Sequence, residues 1–208
     1  MLIAWNTPPL TQQLLYQMKR IIIFASGSGT NAENIIKYFK NNNLAEVTHV
    51  LSNKINAKVL ERANNHGVKA LHFDKDSFYK SNDIQHIIKD AKPDLIVLAG
   101  FLWKFPKNLI NEFPNKIVNI HPALLPNYGG KGMYGMHVHN AVVKNKEAFS
   151  GITIHYVNEH YDEGGIIFQA ETQLTANDTP EDVAAKIHDL EHEHFPKIIE
   201  QLLFKQNC

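Results

Sequence analysis

"RIIIFASGSGTNAENIIKYFKNN" (20–42) decides how this chain folds. Its opening, "RIIIFAS", is a continuous apolar run. A strand with one wet face would alternate, so this run reads as a strand buried on both faces. After "GSG", apolar residues return at Ile35, Ile36 and Phe39, which is one stripe of a helix. Thr30 and Glu33 have the spacing of a capping box that would start it. A strand feeding a helix through a glycine-bearing turn is the first half of a βαβ unit, so the next strand should run parallel.

The unit then repeats. "EVTHVLSN" (46–53), "VKALHF" (68–73), "PDLIVLAGF" (93–101) and "KIVNIH" (116–121) read as strands. Between them, "NAKVLERANNHG" (56–67), ended by Gly67, "SFYKSNDIQHIIKDA" (77–91) and "PKNLINEF" (106–113) read as helices. Past residue 145 the alternation stops. "SGITIHYVN" (150–158) and "GIIFQAETQL" (165–174) are joined by "EHYDEGG" with no helix, so they should pair antiparallel. The chain closes with a helical pattern over 179–206, with Thr179 as its cap. Pro196 inside it should kink or split it. The fold class is therefore α/β: a Rossmann-like, doubly wound, mostly parallel sheet with an antiparallel C-terminal strand pair and a long C-terminal helix.

Bulk properties narrow the function. The 208 residues include 21 basic and 21 acidic side chains, a formal charge of zero that argues against a polyanion-binding surface. No run approaches the about 18 apolar residues of a membrane-spanning helix. The expected partners are small molecules, with no nucleic acid and no membrane. The one cysteine, Cys208, cannot form an internal disulfide or a cysteine-based zinc site, which fits a reducing, cytoplasmic setting. Residues 1–17 differ in character from the rest of the chain and read as an N-terminal extension, disordered or a short surface helix. Residues 18–208 then form one domain. Composition leaves monomer and homodimer open.

Ligands of such sheets bind beyond the carboxyl ends of the strands. Three polar clusters fall there: "SGSGTN" (26–31), "GFLWKF" (100–105) and "NIHP" (119–122). The first suits either an anion at a helix N-terminus or an ordinary tight turn. Ser52 and Asn53 stand where a dinucleotide site wants an acid, so a phosphate monoester is the simpler ligand. Asn119 and His121 share one face of a strand. An amide there can donate to an oxyanion and an imidazole can move protons, or the two are a satisfied core pair. Asp162 is either a turn residue or a carboxylate partner for that imidazole. His188 with His192, and His137 with His139, invite a metal, but no third ligand is signalled and none is expected. "GGKGMYGMHVH" (129–139) is either a mobile lid or a flexible loop.

Taken together, "ASGSGTN", "SNK", "VLAGF", "NIHPALLP", "DEGG" and "LEHEHFP" resemble, in order, the phosphoribosylglycinamide formyltransferase family. The resemblance runs from about Met18 to the last helix. It implies transfer of a formyl group from 10-formyltetrahydrofolate, as cosubstrate, to the amine of glycinamide ribonucleotide in purine synthesis, with no metal. It implies that Asn119 and His121 stabilise the tetrahedral oxygen, with Asp162 holding His121 and raising its pKa. It assigns Gly29, Thr30 and Asn31 to the substrate phosphate and Glu191 to the substrate. Leu102, Trp103, Lys104, Phe105, Lys75 and Asn119 would face the folate, and the Leu125–Pro126 bond would be cis. Two other readings share features. A formyltetrahydrofolate deformylase would carry the same Asn/His/Asp set but also an N-terminal regulatory domain, for which residues 1–17 are too short. A non-catalytic nucleotide- or folate-binding module would have no need of that set.

Overall fold

The computed structural model describes residues 18–204. The extension expected over residues 1–17 lies outside the described residues. One seven-stranded sheet runs in the order β3-β2-β1-β4-β5-β6-β7. Its strands are β1 (Lys19–Phe24), β2 (Ala45–Ser52), β3 (Lys69–His72), β4 (Leu95–Leu98), β5 (Ile117–His121), β6 (Phe149–Tyr156) and β7 (Ile166–Gln173). The first five are parallel, and β6 and β7 are antiparallel. Among the described residues, seven helices connect or cover them: α1 (Thr30–Asn42), α2 (Lys58–Asn65), α3 (Lys75–Tyr79), α4 (Asp83–Ala91), α5 (Lys107–Glu112), α6 (Met136–Lys144) and α7 (Pro180–Phe204). Among the described residues, no helix is long and apolar enough to cross a membrane.

The continuous apolar runs mean what they should. Alternate residues of one strand enter separate cores on the two sides of the sheet. Ile21, Ile23, Val50, Val97 and Val118 pack with α1, α6 and α7. Ile22, Phe24, Leu51, Ile96 and Leu98 pack with Phe73, Phe78, Ile84, Ile88 and Phe105. Strand order reverses between β1 and β4, and the loops leaving them are tied. Ser26 N donates to Gly100 O at 3.0 Å, and Leu102 N donates to Ser26 Oγ at 3.0 Å. The crevice of this fold opens at that switch point.

Four local expectations are corrected. Gly29, not Thr30, caps α1, and no side chain closes a capping box. Glu33 turns instead to Arg62, His66 and Lys37. The helix expected over 77–91 is two, because Asp74 caps α3 and Ser81 bonds Asp83 at the start of α4. That break lets Phe78, Ile84 and Ile88 enter one core. Residues 136–144 are helix, not loop, with Val138 and Val142 buried.

Finally, of the kink or split expected at Pro196, the split is absent: α7 runs through it. A proline lacks the N–H that would bond the carbonyl four residues earlier. That carbonyl belongs to His192, and it accepts instead from Asn34 Nδ2 of α1 at 2.8 Å. The backbone group freed by Pro196 thus becomes the tie between α1 and α7. Asn34→Ala should destabilise the fold by about 1–2 kcal/mol. In a Pro196→Ala background the cost should shrink, because the alanine N–H can take the carbonyl back. Additive losses in a chemical-denaturation cycle would contradict this account of the helix.

Candidate active site

The glycine loop is built from below. A Cβ at Gly29 would lie 2.4 Å from Val59 Cγ2, and the residue has φ +78°, so close packing and backbone both demand glycine. Arg62 Nε donates to Ser28 O at 3.0 Å while its guanidinium pairs with Glu33. His66 first, then Lys37, hold the Glu33 carboxyl at about 2, so this brace is charged at any working pH. Ser26 Oγ donates to Asn53 Oδ1 at 2.7 Å. At the head of α1, Asn31 Nδ2 donates to Glu191 Oε2 of α7 at 2.8 Å, and Asn31 Oδ1 is buried with no partner. The loop therefore presents helix-start N–H groups beside one half-buried carboxylate.

The second cluster grows from strand pairing. Register places Asn119 of β5 opposite His155 of β6, and His121 opposite Thr153. Asn119 Nδ2 and His155 Nε2 are 3.0 Å apart. His155 Nδ1 lies 2.8 Å from Tyr156 O. A carbonyl only accepts, so Nδ1 carries the proton and Nε2 accepts from the Asn119 amide. The same logic sets His121: its Nε2 donates to Tyr128 O at 2.7 Å. Its Nδ1 then faces Asp162 Oδ2 at 3.6 Å, while Asp162 Oδ1 lies 3.7 Å from His155 Nε2. These are ion-pair separations rather than hydrogen bonds. The one direct bond to Asp162 is from Gly130 N, at 2.9 Å.

Burial and charge compete here. Burial pushes Asp162 up, but His155, His121 and the Gly130 N–H outweigh it, so the carboxylate stays below its ordinary value. Burial pushes His121 down and wins, although Asp162 and the Tyr128 carbonyl pull it up. The expected upward pull of Asp162 on His121 is present, but desolvation exceeds it and the imidazole ends below its ordinary value. At neutral pH the imidazole is uncharged, with a lone pair at Nδ1.

The turn after β5 is pinned rather than merely bent. Thr153 Oγ1 donates to Ala123 O at 2.7 Å and accepts from Leu125 N at 3.0 Å. Gln169 Nε2 donates to Leu125 O at 3.0 Å. The Leu125–Pro126 bond is cis.

A cavity of about 930 Å³ joins the two clusters, within the range of sites that hold a substantial small molecule. Gly29, Thr30, Asn31, Leu102, Asn119, His121, Asp162 and Glu191 all line it. Trp103, Lys104, Phe105 and Lys75 do not. Phe105 is buried in the aromatic core, 5.2 Å from Phe24 between ring centres. Trp103 packs on Phe73, and Lys75 Nζ sits 5.7 Å above the Trp103 ring. The Lys104 carbonyl accepts from Tyr79 Oη. Sequence reasoning missed His155, a polar residue inside the apolar run of β6; His139, weighed there only as a metal ligand, is delivered by α6 to the cavity wall with its Nδ1 buried and unpartnered. Among the described residues, no three His, Cys, Asp or Glu side chains group as metal ligands.

Residues 19–199 match the family model described as formyl transferase. The chain is 37% identical over 195 residues to the phosphoribosylglycinamide formyltransferase of Bacillus subtilis, covering 91% of this chain and 97% of that protein. It is equally identical to the chloroplastic phosphoribosylglycinamide formyltransferase of Vigna unguiculata, but spans only 62% of its length. The crystal structure of the phosphoribosylglycinamide formyltransferase of Bacillus halodurans superposes with a TM-score of 0.81 at 36% identity, covering 90% of this chain and 96% of that one.

Imidazole titration by NMR tests the electrostatics. His121 should titrate below the ordinary value of about 6.5. Asp162→Asn removes the anion that contributes most to its charged form, so it should titrate lower still. A His121 value above 6.5, or an upward move in Asp162→Asn, would show the balance drawn above to be wrong.

Proposed function

The chain belongs to the formyl transferase family, and from that premise we propose that it transfers a formyl group from 10-formyltetrahydrofolate to the amine of glycinamide ribonucleotide. The observation that carries this reading is one cavity with two chemically distinct ends. At one end, the 26–31 loop and Glu191 suit a phosphate-bearing amine. At the other, Asn119, His121 and Asp162 suit acyl chemistry. The formyl donor then enters along Phe101 and Leu102, beside the second end. Trp103 and Phe105 pack on Phe101, and Lys75 lies over the Trp103 ring.

The roles follow from the hydrogen bonds. Asn119 Nδ2 gives one hydrogen to His155 and keeps the other for the formyl oxygen. The amine nitrogen bonds to the formyl carbon, and that carbon's bond to the folate nitrogen breaks. One proton must pass from the amine to the departing nitrogen. His121 Nδ1 is the base in place to take it, and Asp162 stabilises the imidazolium formed in transit. Once charged, that imidazolium also lies beside the oxygen on which negative charge develops. His155, fixed as an acceptor by Tyr156 O, orients the Asn119 amide. Residues 18–208 act as one catalytic domain on small molecules, and the lone cysteine fits the cytoplasm.

Incubation with 10-formyltetrahydrofolate, with and without glycinamide ribonucleotide, is the direct test. Folate turnover should require the amine. Turnover without it would indicate a deformylase, and binding without turnover a non-catalytic module. Asn119→Ala should lower kcat by about 10²–10³. Near-wild-type kcat in that variant would remove Asn119 from the oxyanion site.

A further inference from the structure

The formyl-transfer reading leaves one polar motif of the sequence unused: His188 and His192, four residues apart on α7. Their ring centres lie 3.9 Å apart, but their surroundings differ. His192 is turned toward α1, where its carbonyl holds Asn34 and its Nε2 is buried without a partner. His188 lines the cavity. Its Nδ1 lies 3.5 Å from Glu191 Oε2, the same oxygen that accepts from Asn31 Nδ2 at 2.8 Å. The imidazole is therefore one carboxylate removed from the head of α1.

The glycine loop has dipoles but no charge of its own: Ser26 to Asn31 contains no lysine, arginine or histidine. A phosphate monoester carries roughly 1.5–2 negative charges near neutral pH. Cavity-lining residues that can answer it are Lys54, Lys131 and the histidines. His121 and His139 are both held down by burial, and so are neutral. His188 is the opposite case. Contact with Glu191 raises it, desolvation opposes, and Asp189 adds to the rise. The other groups are His192 on the same helix, whose ring centre lies 3.9 Å away, and, elsewhere on the cavity wall, Asn31 of α1, His139 of α6 and Lys54 after β2. Glu191 is the one anion among them in contact with the imidazole.

We propose that His188 is the titratable cation of the phosphate site, and that its protonation sets affinity for the phosphate-bearing substrate. This rests on the reading of the 26–31 loop as that site. The sign is fixed by the raised imidazole: its charge is present at and below the ordinary value of about 6.5 and is lost as pH rises through a higher one. Affinity for a phosphate dianion should fall over that interval.

The test compares the full chain with His188→Gln and His188→Lys from about pH 6 to about pH 9, the range in which a raised imidazole discharges. Binding of inorganic phosphate is followed by calorimetry, and KM for glycinamide ribonucleotide by turnover. In the wild type both should weaken as pH rises. His188→Gln should weaken both about tenfold at the acid end, with the loss falling on KM and the pH trend gone. His188→Lys should keep the affinity and flatten the trend. Binding of the riboside that lacks the phosphate should not respond to either change. An equal loss for the riboside would make His188 a support for Glu191 and overturn the proposal. So would a pH trend that survives in His188→Lys, or phosphate binding unchanged in His188→Gln. Phosphate binding that behaves as expected in a protein with no amine-dependent turnover would overturn the proposed function and leave the anion site standing.

Discussion

The carboxylate of Asp162, half-buried between two imidazoles, is the interaction on which the site depends. An unpaired buried carboxylate is too costly to keep. This one accepts from Gly130 N at 2.9 Å and lies 3.6–3.7 Å from the imidazoles of His121 and His155, whose protonation it favours. The convergence needs three features at once. The β5–β6 register sets Asn119 against His155. The β6–β7 connection carries Asp162 at φ +58°. At Gly164 the same turn presses on Tyr156 O, where a Cβ would lie 1.6 Å away, so that close approach admits only glycine. A slip of one residue in β6 would turn His155 to the other face and leave Asp162 without a partner on that side.

The cavity joins parts of the chain that are distant in sequence through few bonds. Asn31 meets Glu191, Asn34 meets the His192 carbonyl, and Arg62 meets the Ser28 carbonyl. The first two make α7 the wall that faces the glycine loop. The third braces the loop with a residue that does not line the cavity. The cavity thus sits where the sheet changes direction, and the long last helix walls it.

Much of this was legible because strand burial writes itself directly into sequence. "RIIIF" and "LIVL" are apolar throughout since both faces meet core, and strand–helix alternation follows from parallel pairing. Asn119 and His121 stood out as polar residues ending a buried strand. What failed to show depends on partners remote in the chain. His155 looks like a stray polar residue until β6 lies beside β5. Helix α6 is hidden by the glycines before it and is held by packing against α7. Pro196 reads as a breaker unless the Asn34 amide is in view. Thr30 and Glu33 have capping-box spacing, but Arg62 of α2 and His66 at its end draw Glu33 away from the cap. Phe105 lies next to cavity residues in sequence, yet the aromatic core takes it. The direction of the His121 shift was hidden for a similar reason: sequence could suggest the carboxylate, but not the burial that outweighs it.

The central claim is that Asp162 acts through His121. Single-turnover formyl transfer in His121→Ala, Asp162→Asn and the double variant measures that coupling most directly. If the two act as a unit, the double variant should be no slower than the slower single, since the second change removes a partner already idle. Losses that multiply would mean that Asp162 and His121 contribute independently, and would contradict the account.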